Sequence, residues 1–187
     1  MLEAQRRGHD LWHLGISDLN VVDDALVATA RPVTVRRVVG DHFSLGPVVD
    51  LPIGQVDAVF VRKDPPFDAA YLHATLLLEL VRGQTLIVND PRGLRDANEK
   101  LYALRLPALT PATLVSRERA RIREFLGAHG GQGVIKPIDG AGGFSVFHLR
   151  AGDTNAHAIV DLMTLEGRQP VIVQEYFPAV LQGDKRA

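Results

Sequence analysis

The sequence predicts an α/β protein: a parallel sheet covered by helices, followed past a proline-bounded linker by a mixed α+β region. Three observations predict it. From residue 56 onward, apolar runs of strand length at 56–61 and 85–88 alternate with helical spacing at 69–82 and 94–106. Residues 107–111 then carry two prolines in five positions, which suits a linker and divides the chain into domains 1–107 and 108–187. Beyond the linker, the apolar strands 133–135 and 144–149 flank a glycine-rich turn.

Each element has a local reason. Residues 2–7 read as the last turns of a helix, with Arg6 and Arg7 complementing its C-terminal dipole and Gly8 capping it. Six residues are too few to nucleate a helix alone, so the reading expects a preceding segment. A short strand at 10–14 leads into a hairpin with arms 19–22 and 25–30, turned by Asp23-Asp24. The extended stretch continues over 33–39, and Pro32 suits an edge better than a central strand. The strand 56–61 is expected to be buried. Asp68 can cap the helix 69–82, whose Leu72, Leu76, Leu77 and Leu80 fall at helical spacing, and Gly83 stops it. After the strand 85–88, Asn89-Asp90-Pro91 forms a turn before the helix 94–106. Past the linker come the strand 113–115, Ser116 as cap, the helix 117–128, the two strands around the glycine turn, a helix 156–165 and a strand 171–174.

The composition excludes several functions. The 187 residues contain no cysteine, which removes disulfides, thiolate metal sites and a cysteine nucleophile. A net charge of −1 gives no electrostatic case for nucleic acid or a membrane surface. No apolar run approaches the roughly 18 residues of a membrane span. The first residues lack the apolar core of a signal peptide, so a cytoplasmic location is expected.

The chemistry concentrates in Val134-Ile135-Lys136-Pro137-Ile138-Asp139-Gly140-Ala141-Gly142-Gly143-Phe144-Ser145. A lysine closing an apolar strand before a glycine-rich turn suits a phosphate cradle. The glycines let the backbone approach and present N–H groups, and the ammonium adds a point charge. The spacing is not that of a Walker loop. A glycine hairpin beside a chance lysine would look the same. Lys100, in Leu94-Arg95-Asp96-Ala97-Asn98-Glu99-Lys100, could supply a second cation or be a solvated helical lysine. Val171-Ile172-Val173-Gln174-Glu175-Tyr176-Phe177-Pro178 is an apolar strand running into a polar edge, where a purine could bind or a core strand could simply end. Arg62-Lys63-Asp64-Pro65-Pro66-Phe67 lies at the carboxyl end of its strand, where open α/β sheets place ligands, although a rigid Pro-Pro turn with solvated charges has the same look.

In this order, the segments resemble the ATP-grasp superfamily, and within it prokaryotic glutathione synthetase. The similarity runs from Leu2-Glu3-Ala4-Gln5-Arg6-Arg7-Gly8 through the Arg62 to Asp68 string, residues 94–101, Leu109-Thr110-Pro111, Lys136-Pro137 and Asp139-Gly140 to Gly183-Asp184-Lys185-Arg186. It covers essentially the whole chain, and the Arg-Lys-Asp-Pro-Pro-Phe string is its most specific part. The resemblance implies a Rossmann-like pre-ATP-grasp domain without its first strand, then the first part of an ATP-grasp domain. It implies ligation of γ-glutamylcysteine and glycine through an acyl phosphate, giving glutathione, ADP and phosphate. ATP would meet Lys100, Lys136, Gly140, Gly142, Gly143 and Ser145 at its phosphates. Gln174, Glu175, Tyr176 and Phe177 would frame the adenine, and Asp184 and Lys185 would approach the nucleotide. Lys136 and Arg186 are the implied catalytic groups; Arg62, Lys63 and Asp64 would serve the dipeptide or the domain interface, and Arg186 the dipeptide. Another ATP-grasp carboxylate–amine ligase, or a non-catalytic nucleotide-binding module, is the alternative.

Against that family the chain looks cut at both ends. The resemblance places the ligands for Mg2+, or Mn2+ in its stead, in strands beyond Ala187, and none among these residues. A chain of this extent is therefore expected to lack synthetase activity by itself. The partners implied are small molecules, with a homotetramer for the complete enzyme and neither nucleic acid nor membrane.

Overall fold

A computed structural model of the chain describes residues 1–140 and 142–183. It divides into two compact units, Met1–Asp96 and Ala97–Ala187, with the division ahead of the expected 107/108 boundary. Lys100 accounts for the earlier position: its ammonium is bonded to backbone carbonyls of residues 137–140, which ties its segment into the second unit.

The first unit begins with helix α1 (Leu2–Arg6), and its five-stranded antiparallel sheet is organised around one long strand. That strand, β3 (Ala25–Val35), pairs with β1 (Trp12–His13), β2 (Leu19–Val22), β4 (Phe43–Leu45) and β5 (Val49–Pro52). The hairpin β2–β3 forms as expected, with Val22 opposite Ala25 and Asp23 at φ +54°. Pro32, expected on an edge, lies in this central strand. On one side of β3 the partner changes from β5, which ends opposite Ala30, to β4, which starts opposite Val33. The Val33 N–H points the other way, to the Leu11 carbonyl, so the nitrogen of Pro32 faces the break between partners, where no ladder donor is needed.

A two-stranded parallel pair, β6 (Ala58–Phe60) with β7 (Leu86–Val88), carries the parallel character of this unit. The 56–61 strand was expected to be buried. It is shorter, and Phe60 and Leu86 are two-thirds exposed, because the pair has no further strand on either side among the described residues. Between them lies α2 (Ala69–Glu79), capped by Asp68, whose Oδ1 accepts the Tyr71 N–H at 2.9 Å. The face α2 buries is Tyr71, Ala74, Thr75 and Leu78, not the Leu72, Leu76 and Leu80 stripe, which stays exposed. This helix is apolar nearly all round, so spacing alone does not select a face. Small Ala74 lets it pack closely on Leu19, Leu26, Ala28 and Ile53.

The expected helix 94–106 is two pieces. Helix α3 (Pro91–Asp96) starts earlier, because Asp90 Oδ1 accepts the N–H groups of Arg92 at 2.9 Å and Gly93 at 3.1 Å, with proline at the first helical position. Beyond it, Asn98 Oδ1 accepts from Lys100 N and Leu101 N at 3.1 and 3.0 Å, opening a separate turn that runs into the short 3-10 stretches Tyr102–Arg105 and Pro107–Leu109.

The second unit is a four-stranded antiparallel sheet of order β10-β9-β11-β8, with β8 (Thr113–Ser116), β9 (Gln132–Pro137), β10 (Phe147–Arg150) and β11 (Val171–Glu175). Helices α4 (Arg119–Ala128) and α5 (Ala156–Met163) cover one face, where Ile122, Leu126, Val160 and Met163 meet Ile135, Leu149, Val171 and Val173. Among the described residues, no helix is long and apolar enough to cross a membrane.

The Asp68 cap gives a direct check on this account of α2. Asp68→Ala should lower unfolding stability by about 1 kcal/mol in urea titrations, and Asp68→Ser should restore most of it. A loss in the alanine variant that serine does not recover would mean that the carboxylate acts otherwise than as a cap.

Candidate nucleotide site on the second sheet

Alternation along the strands sorts the second sheet into two chemical faces. Ile135, Leu149, Val171 and Val173 point to the helices. On the opposite face, the register sets Lys136 beside Ile172 and Val115, and sets His148, Val134, Gln174 and Thr113 in a row across all four strands. Lys136, His148, Gln174 and Thr113 therefore share the face away from the helical core, together with Val115, Val134 and the buried Ile172.

Lys136, next to last in β9, lies on this face and is half-buried. Burial is the first cause holding its pKa below 10.5; the neighbouring positive charge of Lys100 adds to the shift and Glu99 opposes it. Lys100 itself donates to the carbonyls of Pro137 at 2.9 Å, Ile138 at 3.2 Å and Gly140. Two cations, one near the end of the strand and one bonded to the loop that follows it, are thus brought together.

The loop has the backbone freedom such a cradle needs. Gly142 and Gly143 have φ of +62° and +76°, and Ser145 adopts φ +57°. At Gly140 a Cβ would stand 2.4 Å from the Pro137 ring, so a side chain there would displace the turn. Gly142 and Gly143 are exposed, while Gly140 and Ser145 are half-buried.

At the other end of the face, Gln174 Nε2 donates to Thr113 Oγ1 at 2.9 Å, and the Glu175 N–H donates to the Ala112 carbonyl at 3.0 Å. The Tyr176 ring stacks on His148 at 3.9 Å between centroids and 16° between planes, and His148 Nε2 lies 3.2 Å from Gln132 Oε1. Phe177 is half exposed. Burial, followed by the charge of Arg150, lowers the His148 pKa. Sequence reasoning missed His148, Gln132 and Thr113. Their only sequence signal is strand alternation, which puts them on the face of Lys136 once the pairing is known.

The remaining expected residues lie elsewhere. Arg62, Lys63 and Asp64 are exposed in the first unit, at the carboxyl end of β6 as expected. Lys63 Nζ bonds the Asp64 carbonyl and sits 5.8 Å from the centre of the Tyr71 ring. Asp184, Lys185 and Arg186 lie outside the described residues. No cluster of three or more metal-ligating side chains occurs among the described residues.

Solved structures of similar fold are found for much of this chain. D-cycloserine synthetase DcsG is similar at 24% identity and a TM-score of 0.52, covering 68% of this chain and 46% of that one. A RimK domain ATP-grasp protein from Sphaerobacter thermophilus is similar at 27% identity and a TM-score of 0.50, covering 65% of this chain and 46% of that one. D-alanyl-alanine synthetase A from Vibrio cholerae reaches a TM-score of 0.51 at 15% identity, covering 84% of this chain and 48% of that one. The class is that of ATP-grasp proteins, since an ATP-grasp domain model matches residues 99–187.

Within it, the model of the prokaryotic glutathione synthetase N-terminal domain matches residues 1–95, and that of the family's ATP-grasp domain matches residues 99–187. The chain belongs to the prokaryotic glutathione synthetase family. It is 43% identical over 187 residues to a glutathione synthetase of Xanthomonas campestris, and 41% identical over 186 residues to that of Bradyrhizobium diazoefficiens. The chain spans 59% of the length of each of these curated relatives.

The lowered Lys136 pKa makes a testable pair with Lys100. Between the lowered folded value and the 10.5 of a free lysine, the unfolded chain holds more protons, so this residue makes stability rise with pH across that window. In nitrogen-15 NMR titrations of the lysine side chains, Lys136 should titrate below the ordinary lysine value, and Lys100→Met should move it upward. An unshifted Lys136 in that variant would show that the two charges do not sense each other.

Proposed function

We propose that this chain carries the nucleotide-binding part of a glutathione synthase, joining γ-glutamylcysteine to glycine at the expense of ATP. The ligation is proposed for the family's full-length form. The observation that carries the reading is the pairing of Lys100 and Lys136 at one glycine loop, in a segment matched by the family's ATP-grasp domain.

The reaction has a charge problem: a carboxylate must approach a polyanionic triphosphate. In the proposed sequence the γ-phosphoryl group passes to the carboxylate oxygen of γ-glutamylcysteine, and ADP leaves. The glycine amine then attacks the acyl carbon, phosphate departs, and the amine proton is lost as the amide forms. Lys136 and Lys100 offset charge on the phosphates, and N–H groups around Gly142, Gly143 and Ser145 can line the transferring oxygens. The edge from Gln174 to Phe177 would hold the adenine, with Glu175 its polar partner. Arg62, Lys63 and Asp64 are assigned to the dipeptide, and Asp184, Lys185 and Arg186 to the nucleotide and dipeptide on the family resemblance alone.

Mg2+ belongs with ATP in this chemistry, where it would neutralise phosphate charge. The described residues offer it no carboxylate cluster, so no step is assigned to them through the metal. The reading carries with it a cytoplasmic location and small-molecule partners.

Calorimetry with ATP on the 187-residue chain tests the assignment. Lys136→Met should weaken ATP binding about 10- to 100-fold, the loss of one charge-assisted contact, with the fold unchanged by circular dichroism. Equal ATP affinity in the two proteins would remove Lys136 from the phosphate site. In the full-length form, the same substitution should depress glutathione formation by a larger factor than it depresses ATP binding.

A further inference from the structure

The Lys100 ammonium has three N–H donors, and three backbone carbonyls take them: Pro137 at 2.9 Å, Ile138 at 3.2 Å, and Gly140. Its main chain is held separately, because Asn98 Oδ1 accepts the N–H groups of Lys100 and Leu101, and the Asn98 carbonyl accepts from Tyr102 N at 2.8 Å. The backbone of Lys100 is therefore fixed while its side chain alone spans to the loop. With all three donors engaged, this ammonium cannot also bond a phosphate oxygen without giving up at least one carbonyl.

We propose that Lys100 is a positioning residue for the glycine loop, fastening it to the Asn98 turn without nucleotide and exchanging the loop carbonyls for phosphate oxygens when a triphosphate binds. This deepens the phosphate-site reading and rests on it. The exchange has a favourable direction. The ammonium–carbonyl contacts are between a charge and dipoles, whereas a triphosphate offers full negative charges, and charge–charge hydrogen bonds are the stronger kind. A polyanion also relieves the repulsion between Lys100 and Lys136.

Backbone hydrogen exchange of the 187-residue chain, with and without a non-hydrolysable ATP analogue, tests the proposal. Without nucleotide, Lys100→Met should speed exchange at Gly142, Gly143, Phe144 and Ser145 about tenfold or more, leaving Ile135 and Val173 unchanged. With saturating analogue the difference from the parent protein should shrink, because the phosphates then hold the loop. Equal loop exchange in the two proteins without nucleotide would overturn the proposal. So would a difference that the analogue leaves undiminished, since a purely structural contact behaves that way. Calorimetry on the same variant separates the two readings. Weaker ATP binding with unchanged loop exchange defeats the fastening role and leaves the phosphate site standing. A loosened loop with unchanged ATP affinity overturns the exchange, since Lys100 would then hold the loop without meeting the phosphates.

Discussion

Two cations at one loop, Lys136 half-buried in the strand that leads into it and Lys100 bonded to the carbonyls that follow, are a standing electrostatic cost. The second unit bears that cost in an identifiable way. Burial and like charge both act against the protonated form of Lys136, and only Glu99 opposes them. The carbonyls of residues 137, 138 and 140 satisfy Lys100 with dipoles rather than with a counter-charge. A cation pair of this kind makes physical sense as preorganisation for a polyanion, since the repulsion is accepted in folding and relieved on binding.

The rest of the second unit keeps that pair in place. The antiparallel register fixes which residues share a face, and the helices α4 and α5 take the apolar one. Because the period of a strand is two, a one-residue slip of β9 would carry Lys136 into the core and Ile135 onto the site face. The buried cluster of Ile135, Val173 and Leu149 is thus what holds Lys136 outward. The same alternation sets His148, Gln174 and Thr113 in one row, with Tyr176 stacked on His148, so the polar edge is assembled by pairing rather than by adjacency in sequence.

Much of this was legible beforehand, and the reasons differ by element. The β2–β3 hairpin, the Asp68 cap and the strand–glycine–strand order around Lys136 have local signals, and local signals survive into the fold. Three features needed the third dimension. The buried face of α2 was not readable because leucines occupy both sides of the helix, and close packing chose the side with Ala74 and Thr75. Pro32 suited an edge until the exchange of β5 for β4 made an interior position without a ladder donor. The break after Asp96 depended on Asn98 acting as a second cap, a competition that spacing alone does not resolve. The candidate site was readable as a set of residues, through glycine chemistry and family resemblance. Its companions His148, Gln132 and Thr113 carry no motif and become visible only with the register.

The proposed triphosphate site lies on the face of the second sheet that bears Lys136, at the glycine loop, and not on the face covered by the helices. Mapping backbone amide shifts of the nitrogen-15-labelled chain during an ATP titration tests it most directly. Saturable shifts are expected at Lys136, at Gly142 to Ser145 and along Gln174 to Phe177, with Ile122, Leu126 and Val160 unmoved. Shifts confined to the helical side, or none at millimolar ATP, would contradict it.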